Sequence, residues 1–459
     1  MSDHPFIAMH LVTVPGRIVT KRGRKPTAST AFFLLLLFTT VVYARPQDIF
    51  PVVTVLHLPL VFGICAAVAY VLALLSGDTR LYLPRELQIV LLLTAWYLVG
   101  IPFAEWKTGS LLLFTQTWLK TLFAFFLLVQ TLSTIRRIRL LIWAIILSEC
   151  AVALLTLLGR QHAIWHAGRL FGFNQGFLGW NFFGIAAAMT IPYIGVLCLS
   201  TRSFWRTTLL GAAFGSLVSM LILTASRSGV LTVIPSIVLT SILILRHTGR
   251  GRNILAVLSL IVIIAAAQAP TILWTRLSTL TGSSGVDSDQ TVSSANASTE
   301  QRTVLLQRSI QYTLNHPFLG LGLGNFATTS GAEFGAAGWY RTHNTFTELS
   351  SEAGLPALML FIWLLIVVLR KMNGVSKRLH TDPSRTQLCL MARATTISVV
   401  SFALGGLFAN LSYDYYLFYS VALAVAVQQV AAKTAESGCG FTRYSRGVCR
   451  EVNRLACQD

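Results

Sequence analysis

Apolar residues run along this chain in blocks of about twenty, not at the alternating or 3.6-residue spacing of half-buried elements, and a helix crossing the hydrocarbon core of a bilayer needs that length. The blocks fall at 29–43, 52–76, 87–104, 110–132, 138–158, 181–200, 207–223, 229–246, 253–271, 353–370, 394–411 and 414–433. They predict twelve transmembrane helices and an all-α polytopic membrane protein, since a helix satisfies its own backbone polar groups in lipid. One long polar interval remains. The expected organisation is a basic arm at 1–28, nine spans within 29–271, a helical loop subdomain at 272–352, three spans within 353–433 and a tail at 434–459.

Charge then orients the array. The net charge of +19 could suit nucleic acid, but the basic residues sit in short segments between apolar blocks rather than on one solvated stripe. The partner they imply is the lipid bilayer, with no nucleic acid. With the N-terminus inside, the cytoplasmic segments and adjoining span ends carry 26 Lys plus Arg against 9 outside, Lys120 lying within a span. Basic residues are retained in the cytoplasm, so both termini are expected there and the 272–352 subdomain at the periplasmic face of a bacterial inner membrane. Arg17, Lys21, Arg22, Arg24 and Lys25 read as a retained cytoplasmic start rather than a cleaved signal. None of the seven cysteines falls in a segment placed outside, and no Cys-x-x-Cys pair occurs, so neither a structural disulfide nor a metal site is expected.

Within the loop subdomain, Thr281–Thr299 is rich in Ser, Gly, Asp and Asn and reads as a flexible stretch. Ser298 and Gln301 resemble a capping box opening a helix through Arg302, Leu305 and Arg308 towards Asn315. Pro317 and the series Gly320, Gly322 and Gly324 should end it in a tight turn. A second helix is expected from near Arg341 through Glu352 towards Gly354 and Pro356.

The residues able to carry chemistry cluster in segments placed outside. Arg227, in Ser226-Arg227-Ser228-Gly229, lies in a short hairpin between two spans; it either snorkels to the interface or offers its planar fork to a phosphate. Arg169 lies in Gly168-Arg169-Leu170-Phe171-Gly172. Lys120 is deep in a span and is expected to face the bundle interior, with Glu149 one partner. His343 stands between Thr342 and Asn344, and its neutral imidazole could take a proton from an attacking hydroxyl, with Asn344 and Thr345 orienting ring or acceptor. On an ideal helix Arg341, Thr345, Glu348 and Glu352 share a face, where the carboxylates pair with Arg341 or position a sugar. Two carboxylates one turn apart cannot flank a glycosidic bond from opposite sides, so a paired-carboxylate glycosidase does not follow.

The run from His343-Asn344-Thr345-Phe346-Thr347-Glu348 to Gly354-Leu355-Pro356 resembles the hallmark of the O-antigen ligase and polymerase family. Ser226-Arg227-Ser228-Gly229, Arg302 and His316-Pro317-Phe318-Leu319-Gly320 match in the same order. The resemblance implies a metal-independent glycosyltransferase of the GT-C-like kind, with no cofactor. Its donor would be an undecaprenyl-pyrophosphate-linked glycan, and its acceptor another glycan or lipid A-core. By the resemblance, Arg227 and Arg341 bind the diphosphate, Arg302 assists, and His343 activates or orients the acceptor hydroxyl, with Arg169, Lys120, Asn344 and Glu348 as further substrate contacts. Around Arg169 the sequence departs from the family, with Asn174-Gln175-Gly176 where Asn-Pro-Asn is common. A lipid-linked sugar transporter or flippase is the competing class. It would concentrate ionisable groups at the bilayer midplane, where this chain has chiefly Lys120.

Overall fold

A computed structural model describes residues 27–159, 164–166, 169–172, 180–246, 249–279, 289–380, 382 and 385–434. The basic arm, the tail with its three cysteines, part of the flexible stretch and the Asn174-Gln175-Gly176 departure lie outside the described residues.

Each apolar block becomes one helix long and apolar enough to cross a membrane, twelve in all among the described residues. In order these spans are Ser29–Asp48, Val52–Leu75, Arg85–Phe103, Lys107–Thr131, Ile135–Leu158, Phe182–Ser200, Phe204–Thr224, Arg227–Leu245, Arg250–Ala267, Thr345–Leu379, Thr386–Gly406 and Tyr415–Thr434. The sixth and twelfth are the most buried and form the bundle's centre, while the first, second and ninth keep most of their apolar surface outward. In water that surface would drive aggregation; in lipid it is the solvated face. The chain is an all-α multi-pass membrane protein, interrupted by one short antiparallel hairpin, β1 (Ile164–His166) and β2 (Arg169–Gly172), between the fifth and sixth spans.

Small residues set the closest approach. A Cβ at Gly184 of the sixth span would lie 2.6 Å from the Cα of Gly229 in the eighth, so the two backbones touch there. That contact holds the start of the eighth span, where Arg227 sits, against the bundle's centre.

Among its described residues, the long segment between the ninth and tenth spans forms three α-helices, Thr271–Ser278, Asp289–Asn315 and Phe326–Phe334. The middle one starts nine residues before the capping box, so Ser298 lies inside it. Its polar first half gives little apolar periodicity to read.

The tenth-span helix opens at Thr345, not at Arg341. Asn344 caps it, Oδ1 accepting from the N–H of Phe346 (2.9 Å) and Thr347 (3.1 Å), and His343 just before it is left-handed at φ 52°. Arg341 is thus outside the helix and does not share a helical face with Glu348 and Glu352. The helix then breaks at Gly354 (φ 80°), for a reason visible two residues on. Pro356 has no N–H for the carbonyl of Glu352, and the N–H of Leu355 turns to Pro317 O (2.8 Å). Leu321 N–H and Gly322 N–H donate instead to the freed carbonyls of Ser351 and Glu352, each at 2.9 Å. The glycine-rich turn is therefore stitched to the kink. Its glycines cannot be replaced freely: Gly322 has φ 102° and a Cβ there would fall 2.3 Å from that of Ala104.

Candidate active site

Arginines far apart in sequence converge beside the eighth span. Ser226 caps that helix, its Oγ accepting from Gly229 N–H at 3.1 Å, and Ala225 before it is left-handed at φ 45°. This sharp entry puts Arg227 inside the protein at 8% exposure, so the snorkelling alternative does not describe it. Its guanidinium donates to Thr279 Oγ1 (Nη1, 3.0 Å) and Thr299 Oγ1 (Nη2, 3.1 Å), which ties it to the two helices flanking the described gap.

Arg276 joins it, a residue that the sequence reading passed over. It is 5% exposed, and its Nε has no hydrogen-bond partner among the described residues. Burial first, then the charges of Arg227 and Arg302, push its guanidinium down to about 10, which leaves it charged at neutral pH. Arg302, half-buried on the Asp289–Asn315 helix, is also pushed down, by burial and by Arg227. Burial first, and the neighbouring cations second, thus disfavour the charge of both Arg276 and Arg302. An anion is the natural complement.

His343 completes the group. Burial, followed by the charges of Arg302 and Arg341, pushes its imidazolium down to about 4, so the ring is neutral at pH 7. Arg341 itself is exposed. Asp414, in the turn before the twelfth span, is pushed up to about 6 by burial, with Arg341 and Arg45 pulling the other way. The sequence hid Asp414 as the first residue of an apolar block, and hid Arg276 as a lone cation on a short helix.

The carboxylates have other business. Glu348 Oε2 accepts from Ser412 N–H (3.2 Å) and Ser412 Oγ (2.8 Å), while Thr345 Oγ1 donates to Ala409 O (2.7 Å). Glu352 accepts from Gly324 N–H (2.7 Å), Phe326 N–H (3.3 Å) and Tyr413 Oη (2.8 Å). Together they clamp the 407–414 turn and the glycine turn onto the first turns of the tenth span. Asn344 is engaged as the cap. These residues hold the loop that presents His343.

Lys120 is not inside the bundle. It is exposed on the flank of the fourth span, and Glu149 instead receives Thr190 Oγ1 at 3.1 Å. A helical position within an apolar block does not reveal which face meets a neighbour, which is why the expected pair fails. Arg169 pairs through its backbone with His166 in the hairpin; its side chain lies outside the described residues. No group of three or more His, Cys, Asp or Glu that could hold a metal ion occurs among the described residues.

No curated protein matches the chain. A family model described as O-antigen ligase matches residues 212–362, which run from the seventh span through Arg227, Arg276, Arg302 and His343 into the tenth span. The match therefore covers the cation cluster, the imidazole and the elements that carry them, and over these residues the multi-pass membrane protein is similar to the O-antigen ligase family.

Proposed function

We propose that the chain transfers a glycan from an undecaprenyl-pyrophosphate donor to an acceptor hydroxyl at the periplasmic face, without a metal ion. The observation that carries this reading is a buried guanidinium, Arg276, with an unpartnered Nε beside Arg227 and Arg302. A diphosphate leaving group needs fixed positive charge as its bond to the sugar breaks, and preorganised cations in a partly dehydrated site supply it without rearrangement. Arg227, Arg276 and Arg302 hold the diphosphate; Arg341, exposed at the rim, steers it in.

The acceptor oxygen attacks the anomeric carbon, the carbon–oxygen bond to the diphosphate breaks with its electron pair going to the diphosphate, and the configuration inverts. The acceptor proton passes to His343. In the free protein that imidazole is a weak base because burial, and after it the guanidiniums of Arg302 and Arg341, oppose its protonation. A bound diphosphate offsets those charges, so donor binding strengthens the base at the moment it is needed. The order of events follows: donor first, proton transfer second.

The test is transfer by purified protein in nanodiscs, read as release of undecaprenyl pyrophosphate and product mass. Arg227→Ala should lower kcat/KM by about a hundredfold or more, the loss of roughly 3 kcal/mol of charge-assisted bonding. His343→Ala should lower kcat with little change in donor KM. Lengthened glycans would mark the acceptor as another repeat unit, and capped core would mark lipid A-core. Donor movement across the bilayer with no diphosphate released would refute transfer.

A further inference from the structure

A cavity of about 780 Å³ opens on the flank of the bundle between the first, second and fourth spans, on elements that the Arg227 cluster does not use. Its walls include Phe38, Leu60 and Ile64, and its polar lining Arg45, His57, Lys120 and Asp414. Lys120 has no hydrogen-bond or ion-pair partner among the described residues. Its neighbour Thr121 donates to Tyr413 O at 3.0 Å, which puts this part of the fourth span beside the 407–414 turn. A cation there is costly unless an anion meets it.

Three local features show that the cavity is built. Among the described residues the non-glycine positions with positive φ are Arg45 (43°), His57 (41°), Ala225 and His343. The last two shape the candidate active site, and the first two shape this cavity's mouth. The fourth span makes a π-helical turn over Phe114–Trp118, which puts Gln116 and Thr117 on the cavity wall just before Lys120. Arg45 is oriented by Asp48, Nε to Oδ2 at 2.6 Å. Asp414 links cavity and catalytic group, because the charges of both Arg45 and Arg341 act on its carboxyl.

We propose that this cavity docks the lipid-borne acceptor, Lys120 together with Arg45 and His57 binding a phosphate ester on its lipid anchor while the acyl chains lie along Phe38 and Ile64. The inference rests on the transferase reading above. A reaction joining two lipid-borne molecules needs two lateral docking places, and the diphosphate cluster accounts for one. The second backs onto Arg341 through Asp414, so an acceptor sugar extending from it meets the donor from the other side of the 407–414 turn.

The experiment uses full-length protein in neutral-lipid nanodiscs with p-benzoylphenylalanine at position 64 and radiolabelled bis-phosphorylated lipid A as probe. Photo-crosslinking is expected, competed by unlabelled probe, about tenfold less well by its phosphatase-treated form, and not by phosphatidylglycerol at equal concentration. Lys120→Gln should cut the crosslink about tenfold and Lys120→Arg should retain it, whereas Arg227→Ala should leave it unchanged. In transfer assays Lys120→Gln should raise KM for acceptor and not for donor. Absent crosslinking, equal competition by phosphatidylglycerol or by the phosphatase-treated probe, or an unaffected Lys120→Gln would overturn the proposal. Crosslinking that behaves as expected in a protein releasing no diphosphate would overturn the transferase reading and leave the phosphate-lipid site standing.

Discussion

At the scale of single residues, the imidazole of His343 and the guanidinium of Arg276 are held in opposition to their surroundings. For His343 the folded value near 4 lies below the ordinary 6.5, so the folded protein binds this proton later than the unfolded chain does. The stability this provides is complete above about pH 6.5 and declines as pH falls through that value towards 4. Nitrogen NMR of histidine-labelled protein without donor should therefore find His343 neutral down to about pH 5; a midpoint at 6.5 would contradict its burial against two guanidiniums. For Arg276 the prediction has two halves. Arg276→Met removes mutual repulsion among three cations, so the substrate-free protein should be at least as thermostable as the parent, while donor KM rises about tenfold or more from the lost charge-assisted bonding. A destabilised variant with unchanged donor KM would make Arg276 a packing residue only.

At the scale of elements, the loop bearing His343 is positioned by a broken helix whose loose ends are tied to its neighbours. Glu352 satisfies two N–H groups of the glycine turn and the Tyr413 hydroxyl at once. Glu352→Ala strands three buried donors and should cost roughly 3 kcal/mol or more, whereas Tyr413→Phe removes one bond and should cost about 1 kcal/mol, both read by thermal unfolding in detergent. Gly322→Ala should be as damaging as the loss of the carboxylate, since φ 102° and a 2.3 Å approach to Ala104 leave a methyl no room. If Gly322→Ala unfolds like the parent, the stitched turn is not what holds the tenth span's kink.

At the scale of the molecule, the basic asymmetry of the loops predicts which way the array sits. Glu333→Cys, on the exposed helix beside the candidate site, should react with a membrane-impermeant maleimide in spheroplasts. Asn373→Cys, at the far end of the tenth span, should react only after permeabilisation. The reverse pattern would put Arg341 and His343 in the cytosol and end the proposed reaction at the periplasmic face. The same orientation governs the lateral cavity, because Lys120 and Arg227 must serve the same leaflet for the two lipids to meet.

The twelve spans were legible in the sequence because lipid solvates each apolar block on its own, so span number depends on local composition and hardly on neighbours. The glycine turn and the polar cluster at His343 were legible from local sequence as well. The start of the tenth-span helix was misplaced by four residues, since one helical face drawn through Arg341 and Glu348 ignored the cap that Asn344 forms. Packing alone decided the rest. Arg276 became part of a cation cluster, Lys120 turned outward to a cavity instead of inward to Glu149, and two carboxylates became clamps. Each of those outcomes depends on which faces of distant helices meet, and a stretch of uniformly apolar sequence carries almost no record of its own contact face.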